Sequence, residues 1–369
     1  MLTATILISI IYFSLISLFI KGWSQIPTFR IRTDRPTKTE ISVVVACRNE
    51  ALNLPMLLKS LRNQSYQSFQ LILIDDHSTD STFEIMKLAE NDFENILILQ
   101  SENYGKKQAL KLGIENAKNE LIITTDADCS APSAWLETVI QYQELTKSDL
   151  IIGLVAIQPA VTFFEKIQQL EFLSLVSSGA GAAGIGQPIM CNGANLVFQK
   201  NVWLENYSNL HPKSNTGDDI FLLHALKKRN GNINFLKSEQ AIVSTVACKS
   251  MKSFFNQRQR WASKAPLYTD FVTILVALIV FLASLMQVIL FVSSFIYPAS
   301  LLLLAMLSIV KFAIDYYFLL QTSWFFGQKI TAQTYFTLAV IYPFYIIYTA
   351  ISGIFKGIND IRRGMFRSL

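Results

Sequence analysis

The chain has 369 residues, 51% of them hydrophobic and only 16% charged, which excludes a disordered or strongly solvated polymer and calls for apolar segments beyond a soluble core. Its formal charge of +5 comes from 32 basic and 27 acidic residues, and much of the basic excess flanks apolar runs, which suits anionic lipid headgroups better than nucleic acid. The polar region carries no nucleic-acid motif and no interleaved basic and aromatic stripe, and the scattered cysteines Cys47, Cys129, Cys191 and Cys248 lack zinc spacing and are expected to be reduced thiols.

Residues 2–20 contain no charged side chain, and about 19 such positions suffice for a helix to cross a hydrocarbon core. No Lys or Arg precedes this run and no small-residue cleavage pattern follows it, so a retained anchor is expected rather than a cleaved signal. Lys21, Arg30, Arg32, Arg35 and Lys38 come next. The positive-inside bias therefore places the following segment in the cytoplasm and the N-terminus outside.

In the polar region, residues 41–46, 69–75, 95–99 and 120–126 read as strands, while 53–63 and 82–89 carry apolar residues at helical spacing. This alternation predicts an α/β fold with a mostly parallel sheet and crossover helices. Ligands of such sheets lie beyond the carboxyl ends of the strands, where Asp75, Asp76, Asp126 and Asp128 fall. Neither a G-x-G-x-x-G nor a P-loop occurs. Gly179, Gly181, Gly184 and Gly186 follow a helical pattern at 163–178, and a mobile connection or close packing explains them more simply than phosphate binding.

Apolar character returns at 271–297, 301–320 and 335–355, with Pro298 separating the first two spans. Lys311 and Asp315 are four apart, share a helix face and can neutralise one another within a bundle. One anchor and three later spans put the C-terminus outside, whereas Lys356, Arg362, Arg363 and Arg367 favour the cytoplasm. The expected blocks are an anchor at 1–21, a cytoplasmic catalytic domain at 22–250, an interfacial helix at 251–265, a membrane region of about three segments at 266–356, and a basic tail at 357–369.

Several motifs carry chemistry. Asp126 and Asp128 of T-T-D-A-D point to one side of an extended segment, and their hard oxygens suit Mg²⁺ or Mn²⁺; a polar strand-end turn is the plain alternative. Asp75 and Asp76 of I-D-D-H-S-T-D would be costly to bury without hydrogen-bonding partners. Arg48, Asn49 and Glu50 follow the first strand and either border a nucleotide or form a helix-entry turn. Lys106 of G-K-K-Q-A-L is either a donor-binding cation or an exposed helix lysine. Asp218 and Asp219 of T-G-D-D precede a helix that they could simply cap. In Q-R-Q-R-W, Gln257 and Trp261 share a helix face with Arg260 adjacent, giving an amide donor, a permanent cation and a flat aromatic wall. The mixture of basic and apolar residues from 251 to 261 also suits a helix lying at a membrane surface.

V-V-V-A-C-R-N-E, I-D-D-H-S-T-D, G-K-K-Q-A-L, T-T-D-A-D, T-G-D-D and Q-R-Q-R-W occur in this order over residues 41–261, and in this the chain resembles the membrane-bound family-2 glycosyltransferases of GT-A fold. That group includes ceramide glucosyltransferases and the synthases of cellulose, hyaluronan and poly-N-acetylglucosamine. The resemblance implies a nucleotide-sugar-binding domain with Asp128 as the more direct ligand of Mg²⁺ or Mn²⁺ and Asp126 near the donor sugar or nucleotide. It also implies base contact chiefly through Asp76, a donor-binding Lys106, and Asp219 as the base that takes the acceptor proton, with Asp218 supporting it. His77 departs from the glycine common at its position in the family's turn, and Lys107 has no family role.

The function expected on these grounds is inverting transfer of a sugar from a nucleotide-diphosphate donor to a membrane lipid or lipid-linked glycan, at the cytoplasmic side of a bacterial inner membrane. A processive polysaccharide synthase of the same family is the alternative, although few apolar segments argue against a self-contained export channel. A non-catalytic membrane scaffold or transporter that retains a nucleotide-sugar-binding domain is the competing class, disfavoured by the intact set of acids and Q-R-Q-R-W.

Overall fold

The computed structural model describes residues 1–32, 37–210 and 217–366; Arg35, the threonine that opens T-G-D-D, and Arg367 lie outside them. The described residues form strands β1 (Ile41–Cys47), β2 (Phe69–Asp75), β3 (Ile96–Gln100), β4 (Leu121–Thr124), β5 (Cys129–Ser130), β6 (Leu150–Gly153), β7 (Val155–Ile157), β8 (Leu196–Gln199), β9 (Ile233–Leu236) and β10 (Val243–Thr245). The α-helices are α1 (Leu2–Gln25), α2 (Leu54–Arg62), α3 (Thr82–Leu88), α4 (Lys106–Glu115), α5 (Trp135–Thr146), α6 (Phe163–Gly184), α7 (Lys200–Glu205), α8 (Asp218–Lys228), α9 (Met251–Ala262), α10 (Phe271–Ser293), α11 (Ala299–Phe325) and α12 (Ala332–Phe366).

The chain divides into two compact units. Ile26–Pro159 and Met190–Val246 form the α/β unit. Its seven-stranded sheet runs β3-β2-β1-β4-β8-β6-β9, parallel throughout except that β8 is antiparallel to both β4 and β6. Val43, Val44, Val45, Leu71, Ile72, Leu73 and Ile74 are fully buried, as expected where helices cover both faces of a parallel sheet and the strands read as unbroken apolar runs. Burial of each such side chain contributes about 1.5–3 kcal/mol. The four strands and two helices expected in this unit match the observed ones to within two residues at each end. A second, three-stranded sheet of order β5-β10-β7 was not anticipated, because its strands are only two or three residues long.

Met1–Gln25, Ala160–Ile189 and Ala247–Leu369 form the helical unit. Residues 160–189, expected within the catalytic block, thus group with the terminal helices. The reason is close packing: a Cβ on Gly22 of α1 would stand 1.9 Å from the Gly181 carbonyl oxygen of α6, and one on Gly184 2.0 Å from that of Gly22. The glycine cluster lets two helix backbones touch, as small residues do in membrane helix pairs. A Thr162–Glu165 capping box starts α6, and Ser250 with Ser253 does the same for α9.

Among the described residues, four helices are long and apolar enough to cross a membrane: Leu2–Gln25, Phe271–Ser294, Ala299–Phe325 and Ala332–Asn359. Inside this bundle Lys311 pairs with Asp315, as their spacing predicts, and also donates to the Tyr12 hydroxyl at 2.9 Å. That hydroxyl in turn donates to Asp315 Oδ1 at 2.9 Å, so the buried charges are matched. All four cysteines are free thiols.

Candidate active site

Strand register sets the site in the α/β unit. Cys47 stands opposite Asp75, and Val44 opposite Thr124, so the turns that follow β1, β2 and β4 emerge side by side from one edge of the sheet. Asn49 and His77 take left-handed backbone conformations, φ 55° and 60°. The Asn49 side-chain oxygen accepts from the Thr79 amide at 2.8 Å, and the Glu50 amide donates to Thr82 Oγ1 at 2.8 Å. Asn49 therefore ties two of these turns together.

Asp75 and Asp76 are buried and satisfied by backbone donors. Asp75 Oδ1 accepts from the Ser78 amide at 3.3 Å. Asp76 accepts from the Gly105 amide at 2.9 and 3.1 Å, which fixes the entry to α4, where Gly105 has φ 112°. His77 occupies a conformation that favours glycine, at a strain of about 1–3 kcal/mol for another residue. Its ring stacks on Tyr104 at 3.7 Å and 15°, and Nδ1 lies 3.3 Å from Asp76 Oδ1. These contacts offset the strain, so the turn forms without the glycine.

Lys106, on the first turn of α4, pairs with Asp126. Burial alone would lower its pKa, but Asp126, Asp218 and Asp219 together raise it above the ordinary lysine value. Asp128 is pushed up to about 6, first by burial and then by repulsion from Asp126 and Glu50. Glu50 is likewise raised, by burial ahead of its neighbours Asp126 and Asp80. The edge thus carries more negative charge than Lys106 neutralises.

Asp218 and Asp219 begin α8, where the helix dipole favours negative charge. A turn at Gly193 places them near Lys106: Thr124 Oγ1 donates to the Gly193 carbonyl at 2.7 Å, and the Gly193 amide donates to Asp219 Oδ2 at 3.4 Å. A Cβ on Gly193 would lie 3.8 Å from Asp218 Oδ2 and 3.9 Å from Lys106 Nζ. Six of the expected site residues (Glu50, Lys106, Asp126, Asp128, Asp218 and Asp219) therefore belong to one electrostatic cluster. Sequence reasoning missed Gly193, although C-N-G-A-N, a glycine between two amide side chains, was a visible signal. It also gave no role to Lys107, which is buried, donates to the Leu210 carbonyl and lies 5.5 Å from the Phe221 ring centre of α8.

Among the described residues no cluster of three His, Cys, Asp or Glu is positioned to hold a metal ion; the site offers the carboxylates of Asp126 and Asp128. Two hard carboxylate groups suit a divalent ion such as Mg²⁺ or Mn²⁺. Asp126 and Asp128 are the residues that would hold it.

Gln257, Arg260 and Trp261 lie on α9 of the helical unit. Arg260 is exposed, and Trp261 is half-buried with its ring 6.1 Å from that of Phe172. Arg258, unassigned from sequence, is buried against Glu171 of α6. Burial would lower the pKa of Arg258, and Glu171 reverses that effect and holds it above its ordinary value.

The sequence profile described as Glycosyl transferase family 2 matches residues 42–203. The chain carries a family-2 glycosyltransferase domain. It is 36% identical over 110 residues to an undecaprenyl-phosphate 4-deoxy-4-formamido-L-arabinose transferase of Photorhabdus laumondii, covering 28% of this chain and 34% of that one. It is 31% identical over 114 residues to a cholesterol galactosyltransferase of Borreliella burgdorferi, covering 31% and 32%. The chain therefore matches only about a third of these relatives' lengths. Among solved structures, a mannosyltransferase from Pyrobaculum calidifontis in complex with GDP-Man and Mn²⁺ superposes with a TM-score of 0.56 at 18% identity, covering 96% of this chain and 99% of that one. The likeness establishes the fold, which is GT-A-like with apolar helices at both ends of the chain.

Proposed function

We propose that the protein is an inverting glycosyltransferase that moves a sugar from a nucleotide-diphosphate donor to a membrane lipid or lipid-linked glycan, at the cytoplasmic face of a bacterial inner membrane. The observation that carries this reading is the gathering of Lys106, Asp126, Asp218 and Asp219 beside a raised Asp128 at the carboxyl edge of a family-2 domain. The relatives named for undecaprenyl phosphate and cholesterol acceptors, and the four membrane-length helices, support a lipid-linked acceptor. In this reading residues 1–21 anchor the chain and 251–265 lie at the bilayer surface.

Asp75 and Asp76 border the nucleoside, with Asn49 and Glu50 shaping the adjoining turn. Lys106 would meet the donor phosphate. Mg²⁺ or Mn²⁺ held by Asp126 and Asp128 would neutralise the diphosphate as it departs. Asp219 accepts the proton of the acceptor hydroxyl, whose oxygen forms the new bond to the anomeric carbon. The bond to the diphosphate breaks on the opposite face, and its electron pair leaves with the phosphate oxygen. Asp218, buried at the helix start, keeps Asp219 in place. Arg260 steadies the diphosphate, Gln257 donates an amide hydrogen bond, and Trp261 stacks on an acceptor sugar.

The test is incubation of the full chain in lipid nanodiscs with a bacterial polar lipid extract, Mn²⁺, and UDP- or GDP-linked hexoses and N-acetylhexosamines, with products read by mass spectrometry. A lipid heavier by one sugar is expected. A ladder of added sugars would instead indicate polymerisation, and donor binding with no product from any extract would point to a non-catalytic protein.

A further inference from the structure

Arg258 is the member of Q-R-Q-R-W whose side chain turns inward. Its Nε donates to both Glu171 oxygens at 3.2 Å, and Nη2 donates to Glu171 Oε2. Nη1 donates to the side-chain oxygen of Gln257. The guanidinium carbon lies 4.3 Å from the ring centre of Trp261 and 4.5 Å from that of Phe254. On the far side, the Tyr345 hydroxyl of α12 donates to Glu171 Oε1 at 2.9 Å. The Arg258 and Glu171 side chains are each 3% exposed.

One planar group therefore touches two motif side chains while being held from outside the motif. An arginine fork presents N–H donors in fixed directions and a flat face for an aromatic ring, a combination that lysine lacks. With the Gln257 oxygen taken by Arg258, the Gln257 NH₂ is turned the other way. The Trp261 ring is braced against the guanidinium face.

We propose that Arg258, clamped by Glu171 and Tyr345, is a positioning residue that sets Gln257 for its amide hydrogen bond and Trp261 for its stack on the acceptor. This rests on the reading of Gln257, Arg260 and Trp261 given above. A residue that only filled buried space would tolerate any replacement that preserves folding. A positioning residue requires the fork itself.

The test compares Arg258→Lys, Glu171→Gln and Tyr345→Phe in nanodiscs by three readouts. These are turnover with UDP-glucose, UDP-N-acetylglucosamine and GDP-mannose on polar lipid extract, Mn²⁺-dependent affinity for UDP and GDP, and the ¹⁵N indole resonance of Trp261. Arg258→Lys and Glu171→Gln should lower kcat by about tenfold or more, because small misplacements of positioning groups are costly. They should also raise the acceptor KM, shift the Trp261 resonance and leave nucleotide affinity unchanged. Tyr345→Phe, which removes one hydroxyl and keeps the ion pair, should do the same more weakly and decides the matter if the charge variants fail to fold. Wild-type kcat with an unmoved resonance in Arg258→Lys would overturn the proposal. So would loss of nucleotide affinity in step with turnover, which would make the network a general scaffold. If no donor in the panel turns over, an unmoved resonance alone overturns it. Normal turnover in Gln257→Ala and Trp261→Ala would instead sink the underlying reading of the motif, which separates the two failures.

Discussion

The two units treat buried charge in opposite ways. In the helical unit, Arg258 meets Glu171 and Tyr345, and Lys311 meets Asp315 and Tyr12, so each charge has an opposite partner and a hydroxyl that uses spare hydrogen-bonding capacity. In the α/β unit, Glu50, Asp126 and Asp128 repel one another around Lys106, and the pKa values of Glu50 and Asp128 rise as a result of burial and that repulsion. A matched pair is closed to ligands and holds its neighbours in place. An unmatched cluster of like charge is unfavourable until a cation arrives, and such clusters mark functional sites.

Breaking a matched pair should produce the largest effect on folding. Asp315→Leu leaves Lys311 buried without its carboxylate, at an expected cost of about 3–5 kcal/mol. Denaturation of the nanodisc protein should show this loss, and the double change with Lys311→Met should recover most of it. If Asp315→Leu is as stable as wild type, the pair is not a structural element and the contrast between the units fails.

Within the unmatched cluster the expected effect is on chemistry. Asp219→Asn should retain Mn²⁺-dependent nucleotide binding while kcat falls by about a hundredfold or more, since the amide keeps the shape and removes the basic oxygen. Near-normal turnover at saturating substrate would move the base elsewhere, with Asp218 the next residue to test.

A smaller effect follows from acidity. With its carboxyl pushed up to about 6, Asp128 holds a proton at pH 5 that it has lost at pH 7, so divalent-ion affinity should fall by about tenfold between these values. The metal-free protein carries the reverse dependence. Its raised carboxyl is harder to ionise when folded, so stability declines as pH rises from the ordinary carboxylate range through about 6. Added Mn²⁺ should stabilise the protein at pH 7 and do little at pH 5. Equal stabilisation at both would show that Asp128 is not the ligand.

The smallest change is expected at His77→Gly, where relief of left-handed strain and loss of the Tyr104 stack oppose each other. A net shift of about 1 kcal/mol or less is expected in urea denaturation. A loss several times larger would mean that the stack does more than compensate for strain.

Much of the α/β unit was legible in advance because parallel strands buried on both faces leave unbroken apolar runs, and Phe69–Asp75 was read to the residue. The acids at its edge were legible for the same reason, since the ends of those runs are the ends of the strands. What escaped depends on distant partners. The bond from the Gly105 amide to the Asp76 carboxylate, 29 residues away, has no local signal. Nothing local distinguishes Arg258 from Arg260. One faces Glu171, 87 positions earlier, and the other faces solvent. The grouping of residues 160–189 with the terminal helices was likewise hidden, because Gly22 and Gly181 reveal their contact only when paired.

The most direct test of the central claim is calorimetric titration of the chelated protein with UDP or GDP, with and without Mn²⁺, in wild type and Asp128→Asn. Tight nucleotide binding only when Mn²⁺ is present, with that dependence lost in Asp128→Asn, is the predicted result. Equal nucleotide affinity with and without the ion in the wild type would contradict the assignment of the unmatched carboxylates as the donor site.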